Sequence, residues 1–301
     1  MIDGVTRSLA TGFVFARHDI PVGVIDDAYE MLAAFFHLPR ERKDAYVRLG
    51  SMGQTGYTGL LVEAAAQSSS PDWKEMLNWG IELPRGHPLR RAFPHRYMER
   101  VFPDDDVPGI GAALALLYDR LLDLQRRFLR IVAEGIGCDP SFCDGLLSDG
   151  PTLCRAIRDP PMTEAPSDTI WAEAHGDINL ITALPRATRR GLQVEIDGRW
   201  VDARPPDGHA ILNTGLMLEL LTNGRIPAGV HRVVGDPKDP AERFSVVQFC
   251  HPTPRTILYP VPSCVGGEHP QRFGAIQAGD WLDQVLYDIN LVDDARRIDD
   301  G

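Results

Sequence analysis

The first half of the chain carries apolar residues at helical spacing. Residues 24–36 repeat them at steps of three and four, and the stretch Ile110–Gly135 does so over its whole length. This period predicts amphipathic helices, the longer of which we expect to pack beneath a sheet. Residues 50–59 contain four glycines and follow neither period, so we predict a loop there. The apolar positions that define the long helix are Leu114, Leu117, Leu121, Leu124, Phe128 and Ile131.

The second half has a different pattern, in which short apolar runs are separated by Gly, Pro and Asp. Closely spaced short strands of this kind are typical of a sandwich or barrel. Helical spacing returns at Met217, Leu218, Leu220 and Leu221, where it predicts core packing, and over residues 280–291, where it predicts a closing helix. The predicted strands are residues 180–184, 192–196, 209–212, 229–234 and 244–249.

These patterns predict an α+β fold that forms one domain over residues 1–301. We expect a mainly helical part over about residues 1–150, a β core over about 151–260 and a C-terminal helix over about 275–295. No internal repeat interrupts this order.

Composition and charge narrow the possible partners. The formal net charge of −11 argues against a surface that neutralises phosphates, so we expect no nucleic-acid partner. No apolar stretch is long enough for a membrane helix, and the N-terminus lacks a signal pattern, which together favour a cytoplasmic protein. The five cysteines show no CxxC spacing and predict neither a disulfide framework nor a zinc site. The patterns do not indicate an oligomeric state.

The strongest chemical signal is His175-Gly176-Asp177, with His231 lying 56 positions further along. In a strand, residues i and i+2 point to the same face, so His175 and Asp177 can offer a nitrogen and an oxygen to one metal ion. Two histidines and one carboxylate leave open coordination positions, an arrangement suited to ferrous iron. We therefore predict a metal site at His175, Asp177 and His231, with no catalytic side chain beyond these ligands.

A second signal follows His231 at Arg243-Phe244-Ser245. Strand alternation places Arg243 and Ser245 on one face and turns Phe244 to the other. A guanidinium fork with a hydroxyl beside it is a good receptor for a carboxylate, because the planar pairing fixes both position and angle. The two residues are therefore predicted to bind a carboxylate.

Together these motifs resemble the iron and 2-oxoglutarate oxygenases of the isopenicillin N synthase-like group, whose core is a double-stranded β-helix, or jelly roll. The resemblance covers most of the chain. One departure lies at Arg155-Ala156-Ile157-Arg158-Asp159-Pro160, where members often carry Asn and Tyr before the proline. The segments that carry the resemblance are Thr11-Gly12-Phe13, His18-Asp19-Ile20-Pro21, Asp72-Trp73-Lys74-Glu75, His175-Gly176-Asp177, Gly191-Leu192-Gln193-Val194, Asn223-Gly224-Arg225, His231-Arg232-Val233-Val234 and Arg243-Phe244-Ser245.

The resemblance implies a jelly-roll core flanked by N-terminal helices and a C-terminal helix. It implies Fe(II), 2-oxoglutarate and dioxygen as cofactor and cosubstrates, with Arg243 and Ser245 holding the distal carboxylate of 2-oxoglutarate. Arg155, Arg158, Tyr57 and Trp281 are further candidates for contacting the substrate, while Thr182 either lies near the metal or satisfies the sheet.

The function implied is hydroxylation of a small molecule, such as an amino-acid derivative or a specialised metabolite. An alternative is oxidative cyclisation or desaturation at the same iron, with or without 2-oxoglutarate. A third interpretation, from another class, is a non-catalytic metal-binding jelly roll.

Overall fold

The computed structural model describes residues 2–51, 53–62, 72–166 and 169–288. None of the helices in these ranges combines the length and apolarity that crossing a bilayer requires. Short 3-10 turns lie at Met162–Glu164 and Pro262–Cys264. The helices are α1 (Ile2–Ser8), α2 (Val22–Phe36), α3 (Arg40–Asp44), α4 (Pro88–Ala92), α5 (Ile110–Gly135), α6 (Phe142–Leu147), α7 (Leu216–Leu221) and α8 (Ala278–Asp288).

The strands form two main antiparallel sheets and one small ribbon. They are β1 (Phe13–Arg17), β2 (Gly56–Thr58), β3 (Glu75–Gly80), β4 (Leu153–Asp159), β5 (Ala172–Gly176), β6 (Ile181–Leu184), β7 (Leu192–Ile196), β8 (Arg199–Asp202), β9 (His209–Thr214), β10 (Val230–Val233), β11 (Arg243–Cys250), β12 (Ile257–Leu258) and β13 (Ile276–Gln277). The large sheet has the order β1-β9-β6-β11-β4-β3-β2, the small sheet the order β5-β10-β7-β8, and β12 pairs with β13.

The long helix α5 supports the large sheet, as its period predicts. Leu114, Leu117 and Leu121 are fully buried in the core that α5 forms with α2 and the sheet. Asp104 stabilises the start of the helix, because its Oδ1 accepts hydrogen bonds from the backbone N–H groups of Gly109 and Gly111. The prediction was wrong at Ile131, which is 62% exposed. Ile131 comes ten residues after Leu121, and in a helix with 3.6 residues per turn this spacing points its side chain away from the buried face.

The two faces of the large sheet have different roles. On the outer face, the Gln248 side chain donates to the Tyr118 carbonyl of α5, and Gln125 of α5 donates back to the sheet. On the opposite face, Thr182 of β6 and Asn213 of β9 donate to Asp177, which follows β5 of the small sheet. We call this second face the inner face, since it looks toward the small sheet.

Strand alternation assigns the neighbouring residues to these faces. Phe249 pairs directly with Thr182, so β11 turns Phe249, Val247, Ser245 and Arg243 to the inner face. The same alternation continues across β4, because Arg243, Ser245 and Val247 pair with Asp159, Ile157 and Arg155. Across β3, Ile157 and Arg155 pair with Met76 and Asn78, which therefore also belong to the inner face.

Two further predictions need correction or limits. Residues 50–59 were expected to form a loop, but Gly56–Thr58 is strand β2, paired with β3. Three residues are too few for periodicity to show, and the strand is formed by pairing with a distant neighbour. The predicted closing helix is present as Ala278–Asp288, and the rest of the range 280–291 lies outside the described residues. The division into one domain stays a prediction.

Candidate metal centre and cosubstrate receptor

The structure brings His175, Asp177 and His231 together at the edge where β5 meets β10. His231 pairs directly with His175 across these strands, and their ring centroids lie 4.4 Å apart. The chain leaves β5 just before Asp177, whose Oδ1 lies 3.8 Å from Nε2 of His175. One ligand atom from each of the three side chains lies within 4.8 Å of the others. Within the described ranges, this is the one group of three His, Cys, Asp or Glu side chains so arranged.

Backbone hydrogen bonds orient both imidazoles. Nδ1 of His175 lies 2.7 Å from the carbonyl of Glu173, and Nδ1 of His231 lies 3.2 Å from the carbonyl of Gly229. A carbonyl oxygen only accepts, so each Nδ1 carries the proton and donates it. The lone pair of each neutral ring is then on Nε2, the atom left for a metal ion.

Asp177 is held as a carboxylate. Burial alone would raise its pKa, but nearby His231 and His175, with hydrogen bonds from Thr182 and Asn213, leave the pKa below its usual value. Thr182 Oγ1 and Asn213 Nδ2 lie 2.6 Å and 2.8 Å from Oδ2 of Asp177. Since both donors contact Oδ2, Oδ1 is left to face the histidines.

The charge state of His231 also suits a metal ligand. Burial, followed by the neighbouring His175, lowers the pKa of His231 to about 4, although Asp177 opposes the shift. The imidazole is therefore neutral at pH 7 and needs to lose no proton before binding a cation. Two neutral imidazole nitrogens and one carboxylate oxygen form a donor set that fits Fe(II) with open coordination positions.

The predicted carboxylate receptor lies on the inner face, but Arg243 already has an anionic partner. Arg243 and Ser245 are each 2% exposed, and Nη1 of Arg243 donates to Oγ of Ser245 at 3.0 Å. The same Nη1 lies 2.6 Å from Oδ2 of Asp159, and Nε donates to the carbonyl of Arg189. Burial raises the pKa of Asp159, while Arg243 counteracts the rise.

A second buried ion pair stands close to this receptor. Nζ of Lys74 donates to Oδ2 of Asp72 at 2.7 Å, and both side chains are less than 10% exposed. Lys74 lies near enough to lower the pKa of both Asp159 and His231. The charge of Lys74 therefore acts on both the receptor and the metal ligands.

The four candidate substrate residues fall into different places. Arg155 is on the inner face, where its guanidinium lies 5.5 Å from the ring of Phe249 and donates to Asn78. Trp281 is partly buried in α8 and packs against the core. Their contact with substrate stays a prediction.

Tyr57 and Arg158 lie on the outer face instead. Tyr57 is opposite Leu77, its hydroxyl donates to Glu75, and its ring packs edge-on against Phe35 of α2. Arg158 is bound by two carboxylates, Glu75 and Glu242. The sheet separates both side chains from the metal ligands, and their contact with substrate stays a prediction.

Sequence reasoning missed part of the site. Asn213 carries no motif, and only its register opposite Thr182 shows that it reaches Asp177. Thr182 had two interpretations, and the structure places its hydroxyl on the metal side. Asp159 was noticed only as a departure from a pattern, and its pairing with Arg243 depends on the β4–β11 register.

Comparisons with known proteins bear on the family. A model described as the N-terminal region of non-haem dioxygenases in morphine synthesis matches residues 10–104, and the model of the 2OG-Fe(II) oxygenase superfamily matches residues 151–252. A 2OG-Fe(II) oxygenase family protein of Caulobacter crescentus has 31% identity, with 96% of this chain and 95% of that chain covered and a TM-score of 0.83. The chain belongs to the 2OG-Fe(II) oxygenase superfamily.

Two further relatives connect this oxygenase to proteins with named activities or ligands. Mugineic-acid 3-dioxygenase of Hordeum vulgare is 27% identical over 90% of this chain and 75% of that protein. A full-length protein of Neurospora crassa, solved in complex with alpha-ketoglutarate and thymine, is 25% identical, with 95% of this chain and 91% of that chain covered and a TM-score of 0.80.

The family confirms the predicted jelly-roll core with its α+β character. It also confirms the predicted enzyme class: the protein is a 2-oxoglutarate-dependent dioxygenase that uses Fe(II), 2-oxoglutarate and dioxygen.

Proposed function

We propose that this oxygenase hydroxylates a small organic molecule at an iron held by His175, Asp177 and His231. The observation that carries the proposal is the convergence of three ligand atoms within 4.8 Å, beside the inner face that also bears Arg243 and Ser245. When bound, Fe(II) would activate dioxygen, with 2-oxoglutarate supplying two electrons; one oxygen atom would enter the C–H bond of the substrate and the other succinate, with release of carbon dioxide.

The protein would contribute orientation and charge. Nε2 of His175 and of His231 and Oδ1 of Asp177 would hold the metal from one side, leaving the other side for 2-oxoglutarate and dioxygen. Thr182 and Asn213 would keep Oδ1 of Asp177 aimed at the metal, because their hydrogen bonds fix Oδ2.

Arg243 and Ser245 would bind the distal carboxylate of 2-oxoglutarate. Nη2 of Arg243 has no hydrogen-bond partner among the residues that the structure describes, so this nitrogen is left to donate to the carboxylate. Asp159 would remain bound to Nη1, so its charge would lie close to the bound carboxylate.

The substrate class follows from the relatives and from the pocket. The named relatives act on or bind small molecules, mugineic acid in one case and thymine in the other. On this chain, Val247 and Phe249 are only partly buried on the inner face, which leaves room beside the metal ligands. We propose an amino-acid derivative or another small metabolite as substrate.

The test measures oxygen uptake, succinate and product mass across a panel of amino-acid derivatives. Hydroxylation predicts equal amounts of succinate and consumed oxygen and a product heavier by one oxygen atom. Desaturation or ring closure would give a product lighter by two hydrogens. Oxygen uptake without succinate would contradict the proposed role of Arg243 and Ser245. His231→Ala is the control and should show none of these signals.

A further inference from the structure

Arg96 is a buried cation with unused hydrogen-bond donors. It is 5% exposed, and within the described part of the chain its Nε and Nη1 have no hydrogen-bond partner. Its Nη2 binds the carbonyl of Gly279 and the carboxylate of Asp283, both in α8. A buried charged donor without a partner is costly, so two of them on one guanidinium indicate a missing acceptor.

His251 has a similar deficiency close by. The side chain is 5% exposed, and its Nδ1 has no partner among the described residues. Burial and then the Arg96 cation lower the pKa of His251 to about 3, so the imidazole is neutral at pH 7. Arg96 is joined to the same region through Gly279, whose carbonyl accepts from Nη2 of Arg96 and whose N–H donates to the Pro254 carbonyl, three residues after His251.

His251 follows the end of β11 that pairs with β6 next to Asp177. Two residues before it, Phe249 pairs with Thr182, the residue whose hydroxyl holds Asp177. His251 is the residue directly after β11, at the end of the strand opposite Arg243. Asp177 acts on the pKa of His251, as expected for groups that share this end of the sheet. The backbone of Gly150 packs closely against His251: a Cβ at residue 150 would lie 2.1 Å from the His251 carbonyl oxygen.

The two ends of the inner face thus carry separate sets of donors. Arg243 and Ser245 are at the start of β11, where the proposed function places 2-oxoglutarate. His251 follows the other end of β11, where Gly279 connects Arg96 to Pro254, and Arg155 is on the inner face between the two sets, opposite Val247. Guanidinium N–H groups bind a carboxylate more strongly than a neutral acceptor, because both partners are charged.

We propose that Arg96 and His251 form a subsite for a carboxylate of the substrate, so that the oxygenase acts on a small organic acid. The inference rests on the proposed function, since the iron would lie between this subsite and the receptor for 2-oxoglutarate. Arg96 would supply charge-assisted hydrogen bonds through Nε or Nη1, and His251 would add a neutral hydrogen bond.

The test compares phenylacetate with phenylacetamide, which share a ring but differ in charge. Protein is first loaded with Fe(II) and 2-oxoglutarate without oxygen, so that the metal and the Arg243 receptor are both occupied. Titration calorimetry then measures the affinity of each probe. We expect phenylacetate to bind at least about tenfold more tightly than phenylacetamide, and Arg96→Gln to abolish this preference.

Two variants control for folding and for general charge. Arg90→Gln removes a cation of the same segment, whose partners are Glu99 and the Leu83 carbonyl, and should leave the preference intact. Asp283→Asn removes the carboxylate that forms an ion pair with Arg96. The variant should bind phenylacetate more tightly and phenylacetamide with unchanged affinity. This second variant keeps the test valid should Arg96→Gln fail to fold.

Each outcome separates the two proposals. Fe(II) and 2-oxoglutarate bound together give a weak visible charge-transfer band. A wild-type protein that lacks this band would overturn the proposed function before any probe is added. A normal band with equal affinity for acid and amide, or with no binding of either, would overturn the carboxylate subsite alone. A preference for phenylacetate that is retained in Arg96→Gln would also overturn the carboxylate subsite.

Discussion

Asp159 and Arg243 stand directly opposite each other in the β4–β11 pair and form an ion pair of 2.6 Å inside the proposed cosubstrate receptor. Both side chains are 2% exposed. The nearby pair of Lys74 and Asp72 is also buried, so these four side chains carry balanced charge. A carboxylate from 2-oxoglutarate adds one negative charge to this set, and protonation of Asp159 would restore the balance.

Binding of 2-oxoglutarate should therefore depend on pH through Asp159. Burial raises the pKa of Asp159, with Lys74 and Arg243 opposing and Asp72 adding to the rise, and a bound dianion would raise the pKa further. Between the free and bound pKa values, binding takes up a proton. The dissociation constant then rises with pH by at most about tenfold per pH unit.

Asp159→Asn should flatten this profile and tighten binding at the alkaline end. The measurement is titration of 2-oxoglutarate into the anaerobic Fe(II) protein from about pH 6 to about pH 8. Weaker binding in Asp159→Asn at every pH would mean that Asp159 positions Arg243 for 2-oxoglutarate instead of competing with it.

Arg243→Gln should cost both stability and cosubstrate affinity. It leaves Asp159 buried without its cation, which destabilises the fold by about 3–5 kcal/mol. The double variant with Asp159→Asn should recover most of that stability in urea unfolding, yet still bind 2-oxoglutarate poorly. The matched surface variant Arg127→Gln breaks an exposed pair with Asp19 and should cost less than about 1 kcal/mol. Normal 2-oxoglutarate affinity in the double variant would remove Arg243 from the receptor.

Thr182→Val should weaken iron binding while preserving side-chain shape. The change deletes one of the two donors that hold Oδ2 of Asp177, and loss of such a supporting hydrogen bond lowers metal affinity by about 10–100-fold. Competition with a chelator measures the affinity. Thr253→Val, which removes a hydroxyl bound to the Leu146 and Ser148 carbonyls, should leave it unchanged. Equal affinities in both variants would show that the hydroxyl does not support the metal.

Tyr57→Phe tests the assignment of the outer face. The variant loses a buried hydrogen bond to the Glu75 carboxylate, which should lower the free energy of unfolding by about 1.5–3 kcal/mol. Binding of 2-oxoglutarate and KM for the substrate should stay the same, because the sheet separates Tyr57 from the metal. A raised KM with unchanged stability would place Tyr57 in the substrate pocket after all.

The fold was readable from sequence where a period extends over many residues. Helix α5 was predicted with its observed bounds, and β7 was predicted at residues 192–196, where it is found. Strand β2 was missed, because three residues give no period and their conformation depends on pairing with β3. Ile131 was assigned to the wrong side, since steps of three and four accumulate error over several turns.

The part of the site that lies in local sequence motifs was predictable. The spacing of His175 and Asp177 and the alternation of Arg243 and Ser245 are local, and the structure places these residues near one another as expected. Contacts set by register across strands were not predictable. They include the contacts of Asn213 with Asp177 and of Asp159 with Arg243. The position of Arg158 and Tyr57 on the outer face was also not predictable, because a single residue of register decides the face.

One measurement tests the metal site most directly. Protein free of metal is titrated with Fe(II) and 2-oxoglutarate without oxygen, and the weak visible charge-transfer band of the chelate is recorded. The proposed ligands predict a band that saturates at one Fe(II) per chain in the wild type and is lost in His231→Ala and Asp177→Ala. A wild-type protein without the band, or a His231→Ala protein that keeps it at full strength, would contradict the assignment of His175, Asp177 and His231 as the iron ligands.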